Sequence, residues 1–145
     1  MRIAIGSDHA GFLFKREMII HLRIELGIDD VVDCGTYSTD SCDYPDYAHK
    51  VGEMVSNGDV DYGIVICGSG QGVNIVVNKH KGVRSVLAWN SEIAKLGREH
   101  NDANVLALPG RFISEEEGKS FIDVFLNTEF EERHSKRIEK IEINS

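Results

Sequence analysis

Cysteine is scarce in this chain: Cys34, Cys42 and Cys67 are three residues among 145, an odd number with no C-x-x-C pair. Neither a disulfide framework nor a structural zinc site is expected from that, and reduced thiols are the default. Proline occurs only twice. No linker, repeat or low-complexity stretch interrupts the chain, so its length fits one domain over residues 1–145. No apolar run approaches the roughly 20 residues that a membrane-spanning helix requires. Met1 to Ile5 is strand-like and leads directly into polar Ser7, Asp8 and His9, unlike a signal peptide, so a cytoplasmic protein is expected. Basic residues are also outnumbered, 16 against 24 acidic ones, for a formal net charge of −8. That balance disfavours nucleic-acid binding and long-range attraction of anions, so any phosphate site must be built locally.

What is present alternates. Strand signals recur at Ile3 to Ile5, Asp30 to Cys34, Tyr62 to Cys67, Arg84 to Ala88 and Asn104 to Leu108. Between them lie helical stripes: Met18, Ile19, Leu22 and Leu26 before Gly27, then Ala48, Val51 and Val55. Ser91 is the expected N-cap of a helix through Ile93 and Leu96, and Ser114 with Glu117 reads as a capping box before Phe121, Ile122 and Phe125. Short β-branched strands separated by helices imply an α/β fold, a five-stranded parallel sheet in a three-layer α/β/α arrangement. In such folds ligands bind at the carboxyl ends of strands. A last helix is expected from about 130 to 143, carrying Arg133 and Arg137 one turn apart and Ile138 and Ile141 on an apolar side that a partner subunit would cover.

The segment Cys67-Gly68-Ser69-Gly70-Gln71-Gly72 concentrates the chemistry. A buried-type strand delivers a thiol into a glycine-rich turn, whose N–H groups can converge on an anion, and a helix expected over Val73 to Asn78 adds its N-terminal partial charge. Both features favour thiolate over thiol. On position alone a second reading stays open, a packed cysteine at the end of a strand followed by an ordinary tight turn. Asp8-His9 after the first strand exceeds what a helix cap requires, whereas His100 by itself reads as capping or packing, and His21, His49 and His80 as surface or core residues. The glycine spacing is one residue short of a dinucleotide fingerprint and follows the third strand, and no arginine stands where a cysteine phosphatase needs it. Cys42 and Asp43 with a histidine lack the spacing of a metal site.

Taken together, Gly6-Ser7-Asp8-His9-Ala10-Gly11, Gly35-Thr36, Asp43-Tyr44-Pro45, Cys67 to Gly72, Asn78-Lys79 and His100-Asn101-Asp102-Ala103-Asn104-Val105 resemble the type B ribose-5-phosphate isomerases, in family order from Met1 to about Ile141. The resemblance implies a Rossmann-like fold, no metal or organic cofactor, and an active site between the subunits of a homodimer, which in turn can form a tetramer. By that likeness Cys67 matches the proton-abstracting base, His100 the residue that opens the sugar ring, Ser69 a hydroxyl that moves protons at the reacting carbons, and Asp8 a carboxylate near the sugar hydroxyls. His9, Arg133 and Arg137 match phosphate contacts, Tyr44 a residue of the substrate pocket, Asn101 and Arg111 binding positions, and Gly68, Ser69, Gly70, Gln71 and Gly72 the anion loop. Val73 stands where some members carry a glutamate base, which assigns the base to the thiol. Pro109 before Gly110-Arg111 departs from the family pattern and leaves the reach of Arg111 open.

The implied activity is interconversion of D-ribose 5-phosphate and D-ribulose 5-phosphate through a cis-enediolate, as in the non-oxidative pentose phosphate pathway. Within the family the alternative is another aldose phosphate, allose 6-phosphate or galactose 6-phosphate. From a different class, a noncatalytic nucleotide- or phosphate-binding module would use the glycine loop without needing Cys67 or His100.

Overall fold

The structure of the chain, a computed structural model, describes residues 1–143, so the last two residues of the expected domain lie outside the described residues. Strand β1 (Arg2–Ser7) is followed by α1 (Phe12–Ile20), β2 (Asp30–Asp33), α2 (Tyr44–Ser56), β3 (Tyr62–Cys67), α3 (Gln71–Val77), β4 (Ser85–Leu87), α4 (Ser91–Asn101), β5 (Val105–Pro109), α5 (Glu115–Asn127) and α6 (Ser135–Glu139). All the strand pairs are parallel, in the order β2-β1-β3-β5-β4.

Alternation along the strands sorts the two faces. Ile3, Ile5, Ile64, Ile66, Leu106 and Leu108 pack under α1, α4 and α5 with Phe14, Met18, Ala94, Phe121, Ile122 and Phe125. Ala4, Val65, Cys67, Val105 and Ala107 face α2 and α3 with Ala48, Val51, Val55, Val73, Val76 and Val77. Large side chains on one face and small ones on the other let α2 and α3 sit close to the sheet, and each fully buried Ile or Leu contributes about 2 kcal/mol. The expected three-layer α/β/α architecture is what the chain adopts.

Three local expectations are corrected. Asn90, not Ser91, caps α4: its extended backbone aims Oδ1 at the Ile93 N–H, 2.9 Å away, and Ser91 is already helical. After α1 the chain widens into a π-helical turn, His21–Glu25, with the Leu26 N–H donating to the His21 carbonyl at 2.9 Å. The wider turn rotates the stripe, so Met18 and Leu22 are buried while Leu26 turns outward. The expected terminal helix over 130–143 is a 3-10 turn, Glu132–His134, followed by the short α6, with Ile141 half exposed. Few of its side chains find an apolar surface on their own chain, which limits how far a helix propagates. The Ser114–Glu117 capping box is present as expected.

Candidate functional site

Adjacent strands β1 and β3 send their chains to opposite faces, β1 into α1 and β3 into α3, which opens a crevice at their carboxyl ends. Ser7 pairs with Ile66, so Asp8 and His9 leave the sheet beside the Cys67 loop. Cys67 is buried, and the Gly70 N–H donates to its Sγ at 3.2 Å. Gly70 has φ +74°, and a β-carbon there would lie 2.6 Å from Leu87 Cδ1 and 3.0 Å from the Leu108 backbone. Only glycine turns the chain tightly enough to aim that N–H at the sulfur. Gly70→Ala is accordingly expected to lower stability by about 2–4 kcal/mol, from left-handed strain plus overpacking, read as a shift of the urea midpoint.

The rest of the loop is partly engaged. Gln71 N–H donates to Ser69 Oγ at 3.3 Å, whereas the N–H groups of Ser69 and Gly72 make no hydrogen bond among the described residues. Tyr44, the first residue of α2, lies across Gly72, where a β-carbon would fall 2.6 Å from Cε1. Arg111 is also brought in. Cys67 pairs with Pro109, Gly110 N–H donates to the Cys67 carbonyl at 2.9 Å, and Arg111 N–H donates to the Gly68 carbonyl at 3.0 Å. The Arg111 side chain then runs along Gly68. Pro109 costs nothing here, because it sits at the end of its strand.

Asp8 Oδ1 accepts from Gly11 N–H at 3.0 Å, so one carboxylate oxygen does the work of a cap. Its Oδ2 makes no hydrogen bond among the described residues. His9 Nδ1 accepts from Cys42 N–H at 3.2 Å, which leaves the ring proton on Nε2 as a donor. Cys34 is a core thiol that burial, with Asp33 alongside, pushes up from its ordinary range.

Four of the sequence-derived site residues are elsewhere. His100 and Asn101 end α4 at the turn entering β5, the opposite edge of the sheet from Cys67. The length of β5 alone separates the two edges by roughly 16 Å, at about 3.3 Å per residue. Arg133 and Arg137 go with His100: Glu131 N–H donates to the Glu99 carbonyl at 2.9 Å, and the His134 ring lies 4.5 Å from that of His100. Arg137 Nη1 is 3.4 Å from His134 Nδ1. Within one chain, therefore, the thiol loop and this second group do not meet.

Sequence reasoning missed His134, a buried residue whose Nε2 has no partner among the described residues. Burial first, then Arg133, His100 and Arg137, pull its pKa below the usual imidazole value. No spacing rule could have linked it to His100, 34 residues earlier, because only the packing of the C-terminal turn on α4 does so. Ligand atoms of His100, Glu131 and His134 lie within 4.8 Å of one another, close enough for a metal ion. Arg133 Nε already holds Glu131 at 3.0 Å and depresses its carboxyl pKa, and Arg137 faces His134. With two guanidiniums in place, the electrostatics of this group suit an anion better than a cation.

The Ribose/Galactose Isomerase family model matches residues 3–141 of the chain. Ribose-5-phosphate isomerase B of Escherichia coli is 44% identical over 141 residues, covering 97% of this chain and 93% of that protein. The putative sugar phosphate isomerase YwlF of Bacillus subtilis is 46% identical over 145 residues, with 97% and 95% covered. Among solved structures, Clostridium thermocellum ribose-5-phosphate isomerase B superposes with a TM-score of 0.94 at 45% identity, over 97% of this chain and 95% of that one. The Mycoplasma genitalium ribose-5-phosphate isomerase B, solved with bound ribulose-5-phosphate, gives 0.88 at 43% identity over 97% and 93%.

Proposed function

The chain belongs to the ribose/galactose isomerase family, and on that premise we propose that it interconverts D-ribose 5-phosphate and D-ribulose 5-phosphate as one isomerase domain, with each active site shared between two copies. The observation that carries the reading is the Gly70 N–H aimed at Cys67 Sγ in the crevice between β1 and β3. A phosphate-binding module would need the loop but not the thiol. The same geometry supports the identity of the base, a thiolate held by a backbone donor.

Moving the carbonyl requires removal of the proton from C2 of the open-chain aldose and its return to C1. Cys67 takes and returns that proton. The free N–H groups of Ser69 and Gly72 bind the oxyanion of the enediolate, each preorganised donor lowering the barrier by about 3 kcal/mol. The Ser69 hydroxyl carries the proton between the two oxygens, and Asp8 Oδ2 accepts from a sugar hydroxyl. Tyr44, Gly68, Gly70 and Gln71 shape the pocket. His9 Nε2–H and Arg111 reach the substrate from the same chain, while His100, Asn101, Arg133 and Arg137 come from the partner subunit. Two arguments support that division: the two groups occupy opposite edges of one sheet, and Ile141, which lines one cavity with Asn101, is half exposed. Holding the phosphate remotely from C1 and C2 turns binding energy into orientation. This chemistry needs only side chains and amides. Among the described residues no helix is long and apolar enough to cross a membrane, and the pathway, carbohydrate metabolism in the cytoplasm, follows from the proposed substrate.

The direct test is an isomerase assay on ribose 5-phosphate, allose 6-phosphate and galactose 6-phosphate, with nucleotide binding measured alongside. Turnover of the pentose phosphate well above the hexose phosphates is expected. Nucleotide binding without turnover of any sugar would refute the reading. The role of His100 is testable with a substrate that needs no ring opening. His100→Asn is expected to lose about 10²–10⁴-fold in kcat on ribose 5-phosphate but little on 4-deoxyribose 5-phosphate, which has no C4 hydroxyl to close a furanose. Equal losses on both would assign His100 to the isomerisation step itself.

A further inference from the structure

Arg84 and Asp102 have no part in the chemistry above, yet they share an unusual amount of bonding with the turn that presents His100 and Asn101. Asp102 is the non-glycine residue with positive φ among the described residues, at φ 46° and ψ 46°, where it ends α4. A side chain disfavours that conformation, which glycine would adopt freely. Instead of glycine the turn carries a carboxylate held from both sides. Arg98 Nη1 donates to Asp102 Oδ1 at 2.8 Å, and Arg84 Nη2 reaches Oδ2 at 3.3 Å.

The Arg84 guanidinium does more than pair. Its Nε donates to the Asn101 carbonyl and its Nη2 to the Asp102 carbonyl, both at 2.9 Å. These are carbonyls at a helix end, where no intrahelical donor is left to satisfy them. The Arg84 backbone is stitched to the same turn, its N–H donating to Asn104 Oδ1 at 2.8 Å and its carbonyl accepting from Asn104 N–H at 2.9 Å. Arg98 is buried and also bonds the Ala103 and Thr128 carbonyls, so it serves the core as well as the turn. Arg84 is the member of the pair whose side-chain bonds all end on residues 101 and 102. It leads directly into β4, so the turn is referenced to the sheet as well as to the end of its own helix.

We propose that Arg84, acting through Asp102 and the Asn101 carbonyl, is a positioning residue that fixes His100 and Asn101 for presentation to the sugar. The proposal rests on the assignment of ring opening to His100. Its consequence is selective. Misplacement of a general acid–base group by about 1 Å costs on the order of 10²-fold in the step it serves, and leaves other steps alone.

The test compares the full-length wild type with Arg84→Met, Arg84→Lys and Asp102→Asn on ribose 5-phosphate and 4-deoxyribose 5-phosphate, with His100 ring signals followed by NMR. Arg84→Met is expected to lose tenfold or more in kcat on ribose 5-phosphate and less than threefold on the deoxy sugar, with the His100 signals displaced and those of His9 in place. Arg84→Lys, which lacks the planar fork, should restore part of the loss. Asp102→Asn tolerates the left-handed turn and should show the same selectivity in smaller measure. It carries the test if Arg84→Met does not fold. Equal losses on both sugars, or unmoved His100 signals, would overturn positioning. A wild type inactive on both sugars would instead refute the isomerase reading, and if it turns over only ribose 5-phosphate the His100 signals decide.

Discussion

Cys67→Ala is expected to reduce turnover by about 10³–10⁴-fold, the contribution of a positioned base, while the protein stays folded. The substitution leaves Gly68, Gly70 and Gly72 unchanged, so the loop keeps its path, and loss of the Gly70 N–H acceptor and a small cavity costs only about 1–2 kcal/mol of stability. Substrate affinity should change little, since none of the proposed phosphate contacts is made by the sulfur. The measurement is steady-state kcat and KM, with the thermal midpoint recorded on the same samples. Cys34→Ala and Cys42→Ala are the controls. Cys34 lies in the core with its thiol pushed up by burial. Cys42 holds His9 through its backbone N–H, which alanine retains. Near-normal turnover by Cys67→Ala would end the thiol mechanism.

Mixing two inactive variants should restore activity. Cys67→Ala lacks the thiol, and Arg133→Ala with Arg137→Ala lacks the cations at the opposite edge. In a mixed dimer with shared sites, one pocket contains the intact Cys67 loop of one copy and the intact arginines of the other, and the second pocket lacks both. Random association makes roughly half of the dimers mixed, so co-refolding is expected to return about a quarter of wild-type activity. Each variant refolded alone should stay inactive. If native mass spectrometry shows mixed dimers without activity, the arginines and the thiol must serve the same chain's pocket, and the division of the site proposed above fails. The roughly 16 Å between the two edges of the sheet makes that outcome hard to reconcile with a folded single chain.

Much of the fold was legible because the signals were local. Ile64, Ile66, Val65 and Cys67 alternate between two faces, as period two demands, and the Ser114–Glu117 capping box depends only on residues three apart. Local rules failed where two neighbours competed or where a partner surface decides. Asn90 and Ser91 are both good caps, and only the extended backbone of Asn90 chose between them. The terminal helix was overextended because its periodicity describes a face, and the chain alone offers little for that face to cover.

The candidate site divides in the same way. The order of residues along the chain determined that Cys67, the glycines and Ser69 follow β3, and that Asp8 and His9 follow β1. Parallel pairing then places both groups at one edge, since every strand of such a sheet ends on the same side. That Arg111 reaches the Cys67 loop despite Pro109 was settled by tertiary structure, through the Gly110 and Arg111 N–H groups docking on the Cys67 and Gly68 carbonyls. Tertiary structure also decided that His100, His134, Arg133 and Arg137 gather at the far edge. Chain order puts His100 before β5 and Cys67 after β3, hence at opposite edges of a parallel sheet, but only the packing of the C-terminal turn on α4 brings His134, Arg133 and Arg137 beside His100.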